Sequence, residues 1–242
     1  MSDTEMLQKN KRLVSLDVLR GLTVACMILV NNGAGPDTYA PLKHSVWNGL
    51  TPCDLVFPFF LFMVGVSIFV SLNKSGFKPT SSTIKKILKR TVLLFVIGLL
   101  LHMWDMATKG NWSLFSELRV WGVLQRIALC YGIVSLLALW LDWKKLLCVA
   151  VVLLVGYSFL LSSAYGYEMS EQNIIAIVDR YVFGQAHLYH KSPVDPEGLL
   201  STFPAISHTV IGFVVGRILV SPKDLNRKVK EIVSYAFSIG LI

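Results

Sequence analysis

The sequence predicts an all-α fold, a polytopic helical membrane bundle with six full transmembrane helices and the start of a seventh. Three observations predict it. Of 242 residues, 54% are hydrophobic and only 16% are charged, against about 45–50% and about 25% in a soluble domain. Mean hydropathy is +0.58. Several apolar stretches approach the roughly 20 residues that carry a helix across a bilayer. The same composition excludes disorder, which needs low hydrophobicity and high charge. The net charge of +8, from 23 Lys and Arg against 15 Asp and Glu, reads in this class as topology and not as a nucleic-acid footprint.

The first span is Leu13–Asn31, leaving residues 1–12 as a polar tail before a membrane domain of residues 13–242. It has no cleavage pattern behind it, so it reads as a retained helix. Within it Asp17 and Arg20 are three apart and share a face, and Asn31 lies near that face at the other end. Arg20 either pairs with Asp17 or faces a polar cavity open to the cytoplasm. The second span is Leu55–Leu72. Before it, Thr51-Pro52-Cys53-Asp54 has the spacing of a capping box, with proline at the first helical position. Asp54 therefore has a structural role, and a carboxylate has a second oxygen with which to orient an imidazole. The nearest histidine, His44, sits in the preceding loop with Trp47 and Asn48. It reads as a solvated side chain or as a general base. Pro58 predicts a kink in this helix.

The third span, Ile84–Trp104, is short unless Lys85, Lys86, Lys89 and Arg90 snorkel at its base. The fourth is Val123–Leu141, opened by Arg119 through Gln125 and Arg126, and a buried arginine there needs an acceptor. The fifth is Leu146–Ala164. The sixth, Leu199–Val220, follows Asp195-Pro196-Glu197-Gly198, which by itself reads as a turn before a helix. The last stretch, Ile232–Ile242, holds 11 residues, too few to span. It is expected to be a helix cut short.

With the N terminus inside, 17 of the 23 basic residues fall on inner segments and six on outer ones. That positive-inside bias sets the orientation. Cys26, Cys53, Cys130 and Cys148 form neither a disulfide framework nor a CxxC site. No phosphate loop, zinc spacing or GxSxG elbow is present, and no metal is expected. The residues alone thus lead to a membrane protein with a polar site facing outward. A transporter or a non-catalytic membrane protein with a polar intramembrane site competes with a membrane enzyme. Intramembrane Asp and Arg suit a solute path, but no inverted repeat supports one.

The combination is more specific than its pieces. Arg12 through Gly21, reading RLVSLDVLRG, resembles the opening signature of transmembrane acyltransferases. The run from Lys43 to Thr51, continuing through Asp54 to Pro58, resembles the heparan-α-glucosaminide N-acetyltransferase branch, which has many bacterial members. Gly122 through Arg126, then His187-Leu188-Tyr189 and Asp195 through Gly198, are similar to its later blocks. The resemblance implies an acetyltransferase that moves acetyl from cytoplasmic acetyl-CoA to an amine or hydroxyl of an extracytoplasmic sugar. It implies His44 as the catalytic group, with Asp54 and Asn31 beside it. Trp47, Asn48, Arg126, Asp195 and Glu197 are then the candidate acceptor-binding residues. Arg20, Lys85, Lys86, Lys89 and Arg90 are the candidate partners of the acetyl-CoA phosphates. The partners implied are acetyl-CoA, an amino sugar or other glycan and the lipid bilayer, with no nucleic acid. A homodimer is compatible with it. The location implied is the inner membrane of a bacterium with a cytoplasmic N terminus. Family members carry further helices beyond the equivalent of Ile242.

The charge bias yields a direct expectation. In a background without the native cysteines, Ser45→Cys should react with a membrane-impermeant maleimide on intact cells or spheroplasts. Reaction only after the inner face is opened would reverse the topology.

Overall fold

The computed structural model describes residues 14–33, 35–189 and 192–240. The expected tail, residues 1–12, lies outside the described residues. The long helices are α1 (Val14–Asn31), α2 (Pro52–Lys74), α3 (Ser81–Thr108), α5 (Val123–Trp140), α6 (Trp143–Ser163) and α8 (Thr202–Val220). Between and after them lie α4 (Leu114–Glu117), α7 (Ile174–Phe183) and α9 (Leu225–Gly240). No strand occurs among the described residues. The six long helices are apolar and long enough to cross a membrane, as the sequence predicts.

Helix ends differ from the hydrophobic windows because polar caps set them. Helix α2 starts at Pro52, behind Thr51 as N-cap, and not at Leu55. Helix α3 starts at Ser81, where the Thr80 hydroxyl accepts the Thr83 N–H at 3.3 Å. It runs 28 residues to Thr108, about 42 Å at the usual rise, so this span is not short. Helix α6 starts at Trp143, with the Asp142 carboxylate accepting the Lys145 N–H at 2.9 Å. Such caps satisfy N–H groups that the first turn leaves unpaired. Helix α9 begins seven residues before the predicted apolar run, because Asn226, Arg227, Lys228 and Lys230 are helical too.

The chain divides into two compact units. One comprises residues up to Lys78 together with Ile211 onward. In it α1 packs on α2, and the second half of α8 lies against α2. The contact there is backbone on backbone. A Cβ placed on Gly212 would stand 2.0 Å from the Phe62 carbonyl oxygen, and one on Gly216 would stand 3.1 Å from the Val66 Cα. Two glycines four apart are how membrane helices approach closely without a hydrophobic driving force. Just beyond, Phe69 meets Phe213 edge-to-face at 5.1 Å and Phe77 at 5.4 Å.

The other unit runs from Pro79 to Val210. Here α3 and α5 run antiparallel along a seam that pairs glycine with a polar side chain. Thr91 abuts Gly132, Gln125 abuts Gly98, and His102 abuts Gly122. The first half of α8 is tied to α6 by the Ser207 hydroxyl, which donates to the Ala150 carbonyl at 3.1 Å. Burial is concentrated in α5 and α8, 56% of each span, while only 11% of α3 and of α6 is buried. The latter two turn their apolar faces outward, as lipid-facing helices do.

Gly212→Ala should therefore lower the thermal unfolding midpoint of the detergent-solubilised protein, at a cost of about 1–3 kcal/mol. Gly156→Ala, where a Cβ meets nothing within 4 Å, should leave the midpoint unchanged or raise it slightly. Equal midpoints for the two variants would remove the backbone contact as a determinant of the α2–α8 seam.

Candidate active site

The first cluster belongs to the unit that contains α2, at its N terminus. Its centre is the Asp54 carboxylate. One oxygen, Oδ2, accepts the Thr51 N–H at 2.9 Å, the Thr51 hydroxyl at 2.8 Å and the Ser45 N–H at 3.2 Å. This is the carboxylate half of a capping box, made by the third residue of the helix reaching back to the cap. The other oxygen, Oδ1, meets His44 Nδ1 at 2.7 Å. A carboxylate only accepts, so Nδ1 carries the proton and Nε2 presents its lone pair. The imidazole is 65% exposed and the carboxylate 20%, so the pair has a covered base and an open tip.

The loop is closed on itself around this pair. The Thr51 hydroxyl also lies 2.8 Å from the Lys43 carbonyl, one residue before His44. With one proton it donates to Lys43 or to Asp54 at any moment, and both acceptors hold it in place. Buried Cys53 places Sγ 3.5 Å from each ring nitrogen of His44. Being equidistant, the sulfur aligns with neither the Nδ1–H nor the Nε2 lone pair and acts as a wall against the ring. Cys53 is a contribution that the motif reading did not single out, whereas Thr51 is the N-cap that the capping spacing predicts.

Other expected site residues lie around this centre or elsewhere. Trp47, half-buried, and Asn48, exposed, belong to the loop between His44 and Thr51. Asn31 ends α1, exposed, and hydrogen-bonds neither His44 nor Asp54. Arg20 is exposed on the first turns of α1.

The second cluster belongs to the Pro79–Val210 unit. Arg119 donates through Nη2 to Asp195 Oδ1 at 2.5 Å and to Glu197 Oε2 at 2.5 Å, and through Nε to Asp195 Oδ2 at 3.3 Å. Its guanidinium lies over the Tyr189 ring at 4.8 Å. Burial alone pushes this guanidinium toward neutrality, but the two carboxylates outweigh it and hold the charge more firmly than usual. Asp195, fully buried as a side chain, also accepts the N–H groups of Tyr189 at 3.0 Å and Glu197 at 2.9 Å. Arg126, buried, donates through Nη2 to the carbonyls of Pro196 at 3.0 Å and Gly198 at 3.3 Å, and to the Ser201 hydroxyl. The structure thus joins two groups that the sequence treats apart. The arginines at the start of α5 and the turn before α8 form one network. Lys85, Lys86, Lys89 and Arg90 are exposed on the first turns of α3, with Arg90 over the Tyr131 ring at 5.6 Å.

The same turn touches a residue that sequence reasoning missed. Asp179 of α7 is fully buried. Its Oδ1 accepts the Leu199 N–H at 2.8 Å, and its Oδ2 has no partner. That oxygen lies so near Gly198 that a Cβ there would be 1.9 Å away, which requires glycine at this position. Burial pushes the Asp179 carboxyl up to about 6, with the neighbouring Asp195 charge adding to it.

Comparison with known proteins places the pattern. The profile of the family described as heparan-alpha-glucosaminide N-acetyltransferase, catalytic, matches residues 12–240. The heparan-alpha-glucosaminide N-acetyltransferases of Mus musculus and Homo sapiens are each 30% identical over 96% of this chain. The chain spans 42% of the length of these relatives.

The buried acid gives a pH-dependent expectation. A carboxyl held near 6 in the fold and near 3.8 in the open chain favours folding below 3.8. That contribution is lost as pH rises through 6. Asp179→Asn should therefore raise stability relative to the parent at pH 7.5, by on the order of 1–2 kcal/mol, and not at pH 4. Unfolding midpoints of both proteins across that range check the sign.

Proposed function

Because the chain belongs to the heparan-alpha-glucosaminide N-acetyltransferase catalytic family, we propose that it is a membrane acetyltransferase moving acetyl from cytoplasmic acetyl-CoA to a sugar amine or hydroxyl across the membrane. The observation that carries this reading is the His44–Asp54 pair, with Nδ1 engaged at 2.7 Å and the opposite edge of the ring open. It has the base-and-orienter arrangement that acyl transfer uses on unrelated folds. The six spans and the family make the chain an integral membrane protein.

In this reading the acceptor nitrogen or oxygen attacks the acetyl carbon as Nε2 of His44 takes its proton. The carbon–sulfur bond breaks, and the thiolate leaves and is protonated as CoA. Asp54 keeps the imidazole in the reactive tautomer and stabilises the imidazolium that forms. Asn31, Asn48 or a backbone N–H of the loop supplies the donor for the developing oxyanion. A route through acetyl on Nε2 uses the same atoms in two steps. The CoA phosphates cannot enter hydrocarbon, so their partners belong to the basic inner face. Arg20 and the Lys85, Lys86, Lys89 and Arg90 group are the candidates, with guanidinium suited to bidentate phosphate contact. Trp47 and Asn48 stand beside the reaction centre on the acceptor side. Arg126, Asp195 and Glu197 serve the acceptor by holding the turn, Arg126 through Nη2 to its carbonyls and the two carboxylates through Arg119. Crossing parity, counted from a cytoplasmic N terminus, gives the loop with His44 an outward position.

The test is transfer of labelled acetyl from acetyl-CoA to glucosamine in vesicles. His44→Ala should lose about 10²–10⁴-fold in rate while inserting normally, because insertion depends on apolar length and flanking charge. Asp54→Asn should lose a comparable or smaller factor. Transfer by His44→Ala at near the parent rate would remove this histidine from the reaction.

A further inference from the structure

An orienting carboxylate works only if it is itself held. The torsion next to a carboxylate is broad, so one with a single contact swings and takes its partner with it. We infer that the Thr51 hydroxyl stops that swing, making Thr51 a positioning residue that acts on His44 through Asp54 and the Lys43 carbonyl. Its consequence for catalysis rests on the transfer reading above.

Thr51 reaches both sides of the histidine. Its N–H and hydroxyl meet Asp54 Oδ2 at 2.9 and 2.8 Å, and the hydroxyl lies 2.8 Å from the Lys43 carbonyl. The Ser45 N–H meets the same Oδ2 at 3.2 Å. The peptide groups before and after His44 are thereby tied to one threonine–carboxylate pair. With Oδ2 so engaged, Oδ1 is turned to Nδ1 of the ring at 2.7 Å, and that contact selects the tautomer. Cys53 Sγ, 3.5 Å from each ring nitrogen, confines the imidazole from a further side.

Capping alone does not use all of this. An N-cap hydroxyl serves its helix by accepting a first-turn N–H. The Thr51 hydroxyl has in addition two acceptors within reach, a carbonyl and a carboxylate, and to these it can only donate. The donated bond is the part that holds the histidine. Glycine separates the two roles, because at an N-cap it keeps most of the capping stability and has no hydroxyl.

The test uses the full chain isotopically labelled in its histidine nitrogens, observed by NMR in mildly alkaline buffer where an imidazole is neutral. The His44 ring signals are those lost in His44→Ala. In the parent they should report the proton on Nδ1. Thr51→Val and Thr51→Gly should each lower the ratio of that tautomer to the Nε2–H form about tenfold, since a hydrogen bond to a charged group is worth at least that factor. Thr51→Ser keeps the hydroxyl and should give the parent signals. In the vesicle assay kcat should fall about tenfold in the valine and glycine variants with acceptor KM unchanged, because orientation of the reacting group is lost and substrate binding is not. A purely structural cap gives another pattern: signals and rate follow the unfolding midpoint, with Thr51→Gly near the parent and Thr51→Val impaired. That pattern overturns the inference, and so do parental ring signals in both variants. If Thr51→Val fails to fold, Thr51→Gly decides. The two readings fail separately. Altered ring signals in the variants with no transfer by the parent overturn the transfer reading alone. Parental kcat in Thr51→Gly, with transfer by the parent, overturns the positioning role alone.

Discussion

A guanidinium at the mouth of a membrane bundle must find acceptors within the protein, because leaving it unpaired there is costly. Arg119 and Arg126 find theirs in one turn, Asp195–Gly198. That requirement organises one end of the Pro79–Val210 unit. The turn must present two carboxylates to one arginine and two carbonyls to the other. Its own N–H groups at Glu197 and Leu199 are then satisfied by Asp195 and Asp179. The start of α8, the end of α7 and the start of α5 are held by the same few bonds. Tyr189 is positioned by the same network.

The α2 terminus shows the same economy in a second form. A capping acid normally has one task, to satisfy the backbone N–H groups of a first turn. Asp54 performs it with Oδ2 and leaves Oδ1 for the imidazole. The orientation of His44 is thereby coupled to helix formation and not to a flexible loop alone. A helix also offers greater precision than a loop for holding a reactive group. The open ring edge is the counterpart of a covered base.

Much of this was legible in the sequence, and the reasons are physical. Spans are legible because bilayer thickness imposes a length on apolar runs, and all six were placed within a few residues. Their ends were less accurate where polar caps such as Thr80 and Asp142 extend a helix past its hydrophobic window. The proximity of His44 and Asp54 was readable because ten residues and a capping spacing confine it. The bond between Arg119 and Asp195 was not, since 76 residues separate them and periodicity carries no such pairing. Nor was the partnering of Gly98 with Gln125 or Gly212 with Phe62. A glycine in an apolar run signals a close approach without naming what approaches. Asp179 gave no signal beyond an acid beside Arg180 in a short, mostly apolar helix.

The unit that bears His44 is discontinuous in sequence: it is built from residues up to Lys78 and from Ile211 onward, with the other unit encoded between them. During synthesis the first two spans enter the membrane long before Gly212 and Gly216 leave the ribosome. Until then the α2 face from Phe62 to Phe69 has no glycine surface to rest on, and lipid or an insertion chaperone must occupy it. The intervening unit, made of a contiguous stretch, can settle first. Closing contacts separated by about 150 residues, as Phe62 is from Gly212, is slow for reasons of loop entropy. The unit that carries the His44–Asp54 pair is therefore the part that biogenesis completes last.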